Sequence, residues 1–291
     1  MYESHFGFRE LPFTITPDTS FFLAQASHHE ALNTLLVAAR SGEGFIKVIG
    51  EVGTGKTLLC RKFLASLAAS DFLTAYILNP YLEPLTLLRA IADELNVNVE
   101  PRADQHQLLK ALTKFLAESY ASGRRVILCL DEVQAMPLET LESLRLLTNL
   151  ETERRKLLQV VLFGQPELDT RLAAPSIRQL RQRIGFTCQL RPLNLPEVDY
   201  YLAHRLTVAG YRGPRLFTPG AVRMLHRRAD GVPRLVNILA HKALMASFGA
   251  GLHKVDSGHV RQAATDTESV ASGSRWNRWL PLWLNSYRPR A

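Results

Sequence analysis

The chain has 291 residues, of which 46% are hydrophobic and 21% charged, and its formal net charge is +8. This composition is typical of a soluble globular protein with one large or two modest domains. Half of the charge comes from four arginines after Glu268, a stretch without acids. The remaining body is therefore only mildly basic, which permits contact with nucleic acid or anionic lipid without requiring either.

Three features exclude whole classes of protein. The three cysteines lie far apart in apolar stretches, so they predict neither a disulfide framework nor a CxxC metal pair. The N-terminal residues include Glu3 and Glu10 and no long apolar core, so we do not expect a signal peptide. No run approaches the roughly 20 apolar residues that a transmembrane helix needs. We therefore expect a cytoplasmic protein.

The first residues, 1–26, are rich in aromatic residues and prolines and lack periodicity, so we interpret them as an ordered N-terminal arm. Ser27 followed by Glu30 forms a capping-box pattern, which predicts a helix up to Gly42. Strands and helices then alternate. The predicted strands are residues 45–49, 74–78, 126–130 and 159–163, and the predicted helices are residues 58–69, 85–95, 107–120 and 138–150.

The strands at 126–130 and 159–163 are continuous apolar runs, as in parallel strands that are buried on both faces. This pattern predicts a doubly wound α/β domain over residues 27–191. From Pro192 onward only helices are predicted, at 197–209, 219–228, 234–248 and 257–264, so residues 192–265 form a small helical domain. The polar residues 266–274 look like a linker, and residues 266–291 form a linker and tail.

The loop between the first strand and its helix matches the pattern GxxxxGK[ST]. It reads Gly50, Glu51, Val52, Gly53, Thr54, Gly55, Lys56 and Thr57. Glycines let the backbone N–H groups face phosphates, and the following helix adds its positive end. In this P-loop, we expect Lys56 to reach the β- and γ-phosphates of ATP and Thr57 to bind Mg²⁺. A chance glycine-rich turn is the alternative interpretation.

Two acids, Asp131 and Glu132, follow the strand at 126–130 directly. Parallel sheets bind ligands at the carboxyl ends of their strands, so both carboxylates should emerge beside the P-loop. Asp131 suits a Mg²⁺ ligand through water, and Glu132 suits a general base for the attacking water. A solvated acidic pair is the alternative interpretation.

Further polar residues fit the same site. Gln165 follows the strand at 159–163 and could contact the γ-phosphate or position water, or it could simply cap a loop. Arg178, Arg181 and Arg183 are either a basic helix face or include an arginine finger for a neighbour's ATP. Arg234, in Gly231-Val-Pro-Arg234, opens a helix of the second domain and could fold onto the phosphates.

In this order, the motifs resemble those of AAA+ ATPases. Among these ATPases, the motifs most resemble those of the general secretion pathway protein A (ExeA-like) group. Within that group they most resemble the MshM branch of mannose-sensitive haemagglutinin (MSHA) pilus biogenesis. It covers residues 1 to about 265. The segments that carry it are MYESHFGFRELPFTITPD, FFLA, HHEAL, GEVGTGKT, LDEVQ, LRLLTNLE, LFGQPEL, RQRI and GVPRLVNIL.

The resemblance implies an α/β P-loop NTPase (AAA+) fold, with a doubly wound parallel sheet followed by a small all-helical lid domain. It implies an ATPase with ATP and Mg²⁺ as ligands, Gln165 as sensor 1, Arg234 as sensor 2 and Arg183 as the finger. Leu58, the last residue of the nucleotide-binding set, stands where many relatives carry a hydroxyl, which weakens an α-phosphate contact. These 291 residues do not include the secretion protein's transmembrane and peptidoglycan-binding extension, so we expect the chain to be more similar to the shorter pilus-type relative.

The resemblance also implies a homo-oligomer that works with pilus or secretion assembly proteins at the cytoplasmic face of the inner membrane. All three tryptophans lie in the last 16 residues, interleaved with arginines. Residues 275–291 therefore suggest a peripheral membrane anchor or docking peptide, with core packing or disorder as the alternative.

Two other functions compete with this interpretation. A DNA-associated AAA+ switch of the transposition or initiation type would suit the slightly basic body, but the body lacks interleaved aromatic and basic residues, so nucleic acid is the weaker partner. A small-molecule kinase is disfavoured because Glu132 and the GVPR segment suit water attack. The nine histidines predict no metal site.

Overall fold

The computed structural model describes residues 2–16, 18–23, 26–148, 151–152 and 155–267. The tail at 275–291, with its predicted anchor, therefore lies outside the described residues. The chain divides into two compact units. The α/β unit comprises residues 15–193 and 232–234, and the described part of the helical unit comprises residues 2–14, 194–231 and 235–267. The predicted domain boundaries at residues 27, 192 and 266 stay predictions.

The α/β unit is built on a sheet of five parallel strands in the order β2-β3-β6-β1-β7. A short antiparallel hairpin, β4–β5, stands apart from this sheet. The strands are β1 Phe45–Gly50, β2 Phe72–Ile77, β3 Arg125–Leu130, β4 Glu151–Thr152, β5 Arg155–Lys156, β6 Leu158–Gly164 and β7 Ile184–Leu190.

Helices connect the strands and continue through the helical unit. They are α1 Glu3–Phe6, α2 Ala26–Ser41, α3 Lys56–Ala65, α4 Pro84–Glu94, α5 Gln105–Ala121, α6 Leu138–Thr148, α7 Glu167–Leu172, α8 Arg178–Gln182, α9 Leu195–Val208, α10 Pro219–Ala229, α11 Pro233–Gly249 and α12 Ser257–Thr265. Three short 3₁₀ helices lie at Thr19–Phe21, Val133–Ala135 and Pro175–Ile177. Among the described residues, no helix combines the length and apolar character that crossing a bilayer requires.

Both faces of the sheet are buried, because successive residues of a strand point to opposite sides. Leu128 and Leu130 of β3 pack in one core layer with residues of α4, α5 and α6. Ile127 and Cys129 of the same strand pack in a second layer with residues of α2 and α3. Helices on both faces of a parallel sheet define a doubly wound α/β fold, so the predicted fold class is confirmed.

Two local predictions are wrong. Helix α2 begins at Ala26, so Ser27 lies inside the helix and does not cap it. Strand β7 was not predicted at all, yet it pairs with β1 from Ile184 to Leu190. It is an edge strand in which only Cys188 and Leu190 are fully buried, and Gly185 interrupts its apolar pattern. An edge strand of this kind lacks the continuous apolar run that marks the interior strands.

The helical unit consists of α1 and α9–α12 with the N-terminal residues. The Tyr2 hydroxyl contacts Nδ1 of His241 at 2.7 Å, and the Arg9 amide donates to the carbonyl of Ala209 at 2.8 Å. Arg205 is 6% exposed and donates from Nε to the carbonyl oxygen of Pro12. Residues 2–14 therefore pack as part of this unit's core, which explains their high aromatic content.

Candidate functional site

The P-loop connects the end of β1 at Gly50 to the start of α3 at Lys56. Gly53 and Gly55 have φ angles of 81° and 97°, in the left-handed region that favours glycine. A Cβ atom at Gly50 would lie 2.6 Å from Oγ1 of Thr54, so this position also needs glycine. Thr54 is fully buried and donates to the carbonyl of Glu51 at 2.7 Å. The loop is thus held tightly curled by its own residues.

The remaining loop residues differ in exposure. Val52 is 45% exposed, while Glu51 and Leu58 are half-buried. Burial raises the pKa of the Glu51 carboxyl, and the nearby carboxylate of Glu167 raises it further. Ionising Glu51 therefore costs solvation free energy.

Lys56 is only 4% exposed, and its ammonium group donates to the carbonyls of Gly50 at 2.9 Å and Glu51 at 3.2 Å. Burial lowers the pKa of this ammonium, while the carboxylates of Glu132 and Asp131 act in the opposite direction. The ammonium is thus directed at the loop interior and lies in the field of both acids that follow β3.

Asp131 is fully buried and is hydrogen-bonded directly to α3, the helix that follows the P-loop. Its Oδ2 accepts a hydrogen bond from the Thr57 hydroxyl at 2.6 Å and a longer one from the Tyr76 hydroxyl at 3.3 Å. Burial raises the pKa of the Asp131 carboxyl, although the bonds from Thr57 and from the Glu132 amide act to lower it. The two residues predicted to hold Mg²⁺ therefore lie in direct contact.

Glu132 adopts a left-handed backbone conformation, with φ of 54°, at the turn after β3. Its Oε2 accepts hydrogen bonds from Nε2 of Gln165 at 2.9 Å and from Nε2 of Gln134. The backbone N–H of Gln165 donates to Oε1 of Gln134 at 3.0 Å. Hydrogen bonds thus link Glu132, Gln134 and Gln165, which follow the ends of β3 and β6. The side chain of Gln165 contacts Glu132 in this structure.

Gln134 and His28, to which no sequence motif gives a role, also lie at the site. His28 is 5% exposed, and its Nε2 lies 2.8 Å from the Thr54 carbonyl oxygen in the P-loop. A carbonyl oxygen can only accept, so the proton must be on Nε2. The sequence features that could have predicted these residues are weak. His28 is a polar residue at a buried helical position, and Gln134 is a glutamine two residues after the acids.

The two arginines assigned to phosphate contacts lie at different places in the α/β unit. The Arg234 amide donates to the carbonyl of Gly53 at 3.2 Å, so residues 232–234 pack on the P-loop, and the Arg234 side chain is exposed. Arg183 precedes β7, whose first residue pairs with Phe45 at the start of β1. About six residue steps of roughly 3.3 Å, or about 20 Å, separate Arg183 from the P-loop edge of the sheet.

The donor set suits Mg²⁺ held together with phosphates. No group of three or more His, Cys, Asp or Glu side chains converges on a metal position within the described parts of the chain. Mg²⁺ usually takes one or two protein oxygen ligands and completes its shell with water and substrate phosphates. The Thr57 hydroxyl and the Asp131 carboxylate provide oxygens of that kind next to the P-loop.

Residues 39–172 match a family model described as an AAA domain. The fold is that of an AAA+ P-loop NTPase. General secretion pathway protein A of Aeromonas hydrophila is 42% identical over 284 residues, which is 98% of this chain and 52% of that protein. The chain thus spans about half the length of this curated relative. The predicted resemblance to general secretion pathway protein A is confirmed, while the likeness to the pilus branch stays a prediction.

Two solved structures resemble the chain in fold. The ORC2 protein of Aeropyrum pernix, solved in ADPNP–ADP complexes, matches 85% of this chain and 68% of its own, with a TM-score of 0.62 and 20% identity. Cdc6p from Pyrobaculum aerophilum matches 89% and 74%, with a TM-score of 0.64 and 18% identity. At such low identity these structures support the fold alone.

Proposed function

We propose that this chain is a Mg²⁺-dependent ATPase that assists assembly of a general secretion machine or a type IV pilus of the MSHA type. The observation that carries the enzymatic part is the 2.6 Å contact between the Thr57 hydroxyl and Asp131, next to the buried ammonium of Lys56. These three groups match what a triphosphate and its divalent ion need.

Each side chain has a distinct role in this proposal. Lys56 exchanges its bonds to loop carbonyls for bonds to the β- and γ-phosphate oxygens, while Thr57 and Asp131 hold Mg²⁺. The bound ion supplies positive charge that offsets the negative charge of the phosphates. Arg234, at the edge of the P-loop, is a further cation on this side of the sheet.

Glu132 acts as the general base. Its carboxylate accepts a proton from water as the water oxygen attacks the γ-phosphorus and the bond to the β-bridging oxygen breaks. Gln165 and Gln134 donate to one oxygen of this carboxylate, Oε2, which orients the group and leaves Oε1 for the water. The two glutamines are therefore positioning residues for the base.

Paired substitutions test this assignment. We expect Lys56→Ala to lose ATP binding, whereas Glu132→Gln should bind ATP and lose about 10²- to 10⁴-fold in turnover. Matched controls are Lys62→Ala on the same helix and Glu139→Gln at the start of α6. Binding is measured with a fluorescent ATP analogue and turnover by phosphate release. Full turnover in either site variant would refute the assigned roles.

The assembly role rests on the similarity to general secretion pathway protein A and on the pilus-type resemblance of the motifs. We expect the Glu132→Gln variant, held in ATP, to retain its partners when it is purified from its own cells. Recovery of secretion or pilus assembly proteins supports the proposal. Recovery of DNA, with DNA-stimulated hydrolysis by the unmodified chain, favours the DNA-associated switch instead.

Recruitment to the inner membrane is assigned to residues 275–291, on the basis of their tryptophans and arginines. A chain truncated before residue 275 should keep its ATPase activity and lose its membrane-associated fraction. Unchanged fractionation of the truncated chain would contradict the anchor.

A further inference from the structure

A second cavity lies at the edge of the sheet opposite the P-loop, where β1, β3 and β6 begin. Its volume is about 570 Å³, which is within the range of small-molecule sites, roughly 300–1,000 Å³. The side chains that matter for its chemistry are Arg40, Glu43, Tyr120, Arg125, Lys156 and Gln159. The P-loop lies about 17 Å away along β1, at about 3.3 Å for each residue step, so the two sites are separate.

The cavity wall carries three cations and one acid. Within the described residues, no ion pair involves Arg40, Arg125 or Lys156. Arg125 is held in place because its Nη1 donates to the carbonyls of Ala39, at 2.9 Å, and Arg40 at the end of α2. A fixed guanidinium with two further cations beside it creates a positive concave surface that favours an anion.

The same wall contains a buried hydrogen-bond acceptor. Gln159 is 2% exposed and lies in the otherwise apolar strand β6. Its Nε2 donates to the carbonyls of Ala38 at 3.1 Å and Glu43 at 3.0 Å. Because both partners are carbonyls, the amide orientation is fixed, and Oε1 has no donor among the described residues. A buried carbonyl group is expected to have such a donor.

Tyr120 adds an aromatic surface at the cavity mouth, with 37% of the residue exposed. Aromatic side chains stack on planar rings irrespective of their exact substitution. We propose that this cavity is a second ligand site, specific for a phosphorylated small molecule with a planar ring, of the nucleotide class. The phosphate binds Arg40 and Lys156, with Arg125 behind them. The ring packs on Tyr120, and an N–H or O–H of the ligand donates a hydrogen bond to Oε1 of Gln159.

Calorimetric titration of the full chain tests this proposal. The P-loop is first filled with one equivalent of a non-hydrolysable ATP analogue and Mg²⁺, and adenosine or guanosine 5′-monophosphate is then titrated. We expect one further equivalent to bind. The Arg40→Ala, Lys156→Ala double variant should weaken this binding at least tenfold. Lys110→Ala, Lys114→Ala, which removes the same charge from exposed positions of α5, should leave it unchanged.

A second comparison separates the ring from the phosphate. Tyr120→Leu should weaken binding of the nucleotide and leave binding of inorganic phosphate unchanged. Arg40→Gln alone, at an exposed position, serves if the double variant does not fold. The proposal is overturned if no second equivalent binds at millimolar nucleotide or if the cavity variants bind normally. Equal affinity for nucleotide and phosphate also overturns it, since that indicates an adventitious ion only.

A variant of the P-loop distinguishes the two sites. A Lys56→Ala chain, which should bind no ATP in the P-loop, is expected to bind one nucleotide in the second cavity. Loss of both equivalents in that variant would show that the titrated nucleotide had bound at the P-loop.

Discussion

The Asp131 carboxylate is fully buried, and this burial raises its pKa. A carboxyl whose folded-state pKa is raised stabilises the fold at acidic pH, and this contribution is lost as pH rises through the folded-state pKa. The charged form of Asp131 is therefore costly to bury when no metal ion is bound. A divalent ion bound beside this carboxylate would offset the cost.

The first prediction follows from this cost. Asp131→Asn should raise the melting temperature at pH 7 without Mg²⁺ and nucleotide, by roughly 2–4 °C for each kcal/mol gained. The same variant should lose turnover. The stability advantage should shrink as pH falls through the raised pKa of Asp131, which denaturant unfolding at several pH values measures. An advantage that grows on acidification would contradict the argued sign.

The second prediction concerns His28, whose Nε2–H fixes the Thr54 carbonyl. Losing a hydrogen bond worth about 0.5–1.5 kcal/mol should raise the Kd for ATP roughly two- to thirteenfold in His28→Leu. His28→Gln can still donate from its terminal amide and should recover most of the affinity. His29→Leu, at the adjacent exposed position, is the control. Equal affinity in His28→Leu and the unmodified chain would show that His28 does not position the loop.

At the scale of elements, the P-loop and the segment at 232–234 constrain each other. A Cβ at Gly53 would lie 2.7 Å from Cβ of Arg234, and the residue also has positive φ. Gly123 has a φ of 82° but has no atom within 4 Å of such a Cβ. Alanine at Gly123 therefore introduces backbone strain alone, whereas alanine at Gly53 introduces backbone strain and a steric conflict.

The third prediction uses this matched pair. Gly123→Ala should lower the free energy of unfolding by about 1 kcal/mol and leave ATP affinity unchanged. Gly53→Ala carries the same strain and also displaces the segment around Arg234, so its ATP affinity should fall by about tenfold or more. Binding titrations and denaturant melts of both variants measure the difference. Identical behaviour of the two variants would exclude a role for the contact with Arg234.

The sequence predicted the interior of the sheet well because each interior strand buries both faces and so must be apolar throughout. The sequence did not predict β7, because this strand lies at the edge of the sheet and its polar residues alternate with apolar ones. The acids at 131 and 132 were predictable because they end an apolar strand. The partners of Glu132 were not, since the contact between Gln134 and Gln165 depends on how two loops meet in space.

At the scale of the whole molecule, Arg183 lies at the edge of the sheet away from its own P-loop, about 20 Å along β7 by the rise of a strand. It cannot therefore reach the ATP that its own chain binds. A finger role requires a second copy that presents Arg183 to the first.

The fourth prediction is a mixing experiment. Arg183→Ala and Glu132→Gln should each lose turnover, and a mixture of the two should regain a measurable fraction, because some interfaces then combine an intact finger with an intact base. Arg178→Ala and Arg181→Ala, at exposed positions, distinguish the neighbouring arginines. A mixture no more active than its components, in a preparation that forms oligomers, would exclude the finger.

All five strands of the sheet run in the same direction, and the balance of charge differs between its two ends: acids lie with Lys56 and Arg234 where the strands finish, and cations lie with Glu43 where they start. Glu51, Asp131, Glu132 and Glu167 lie where the strands finish, whereas Arg40, Arg125, Lys156 and Arg183 lie where they start. Two copies related by a dyad that joins like edges would repel, whereas successive copies joined start to finish would attract. Such a contact is heterologous, so it propagates around a closed ring or along a filament. An anion held among the cations would weaken that attraction, and ionic strength would do the same.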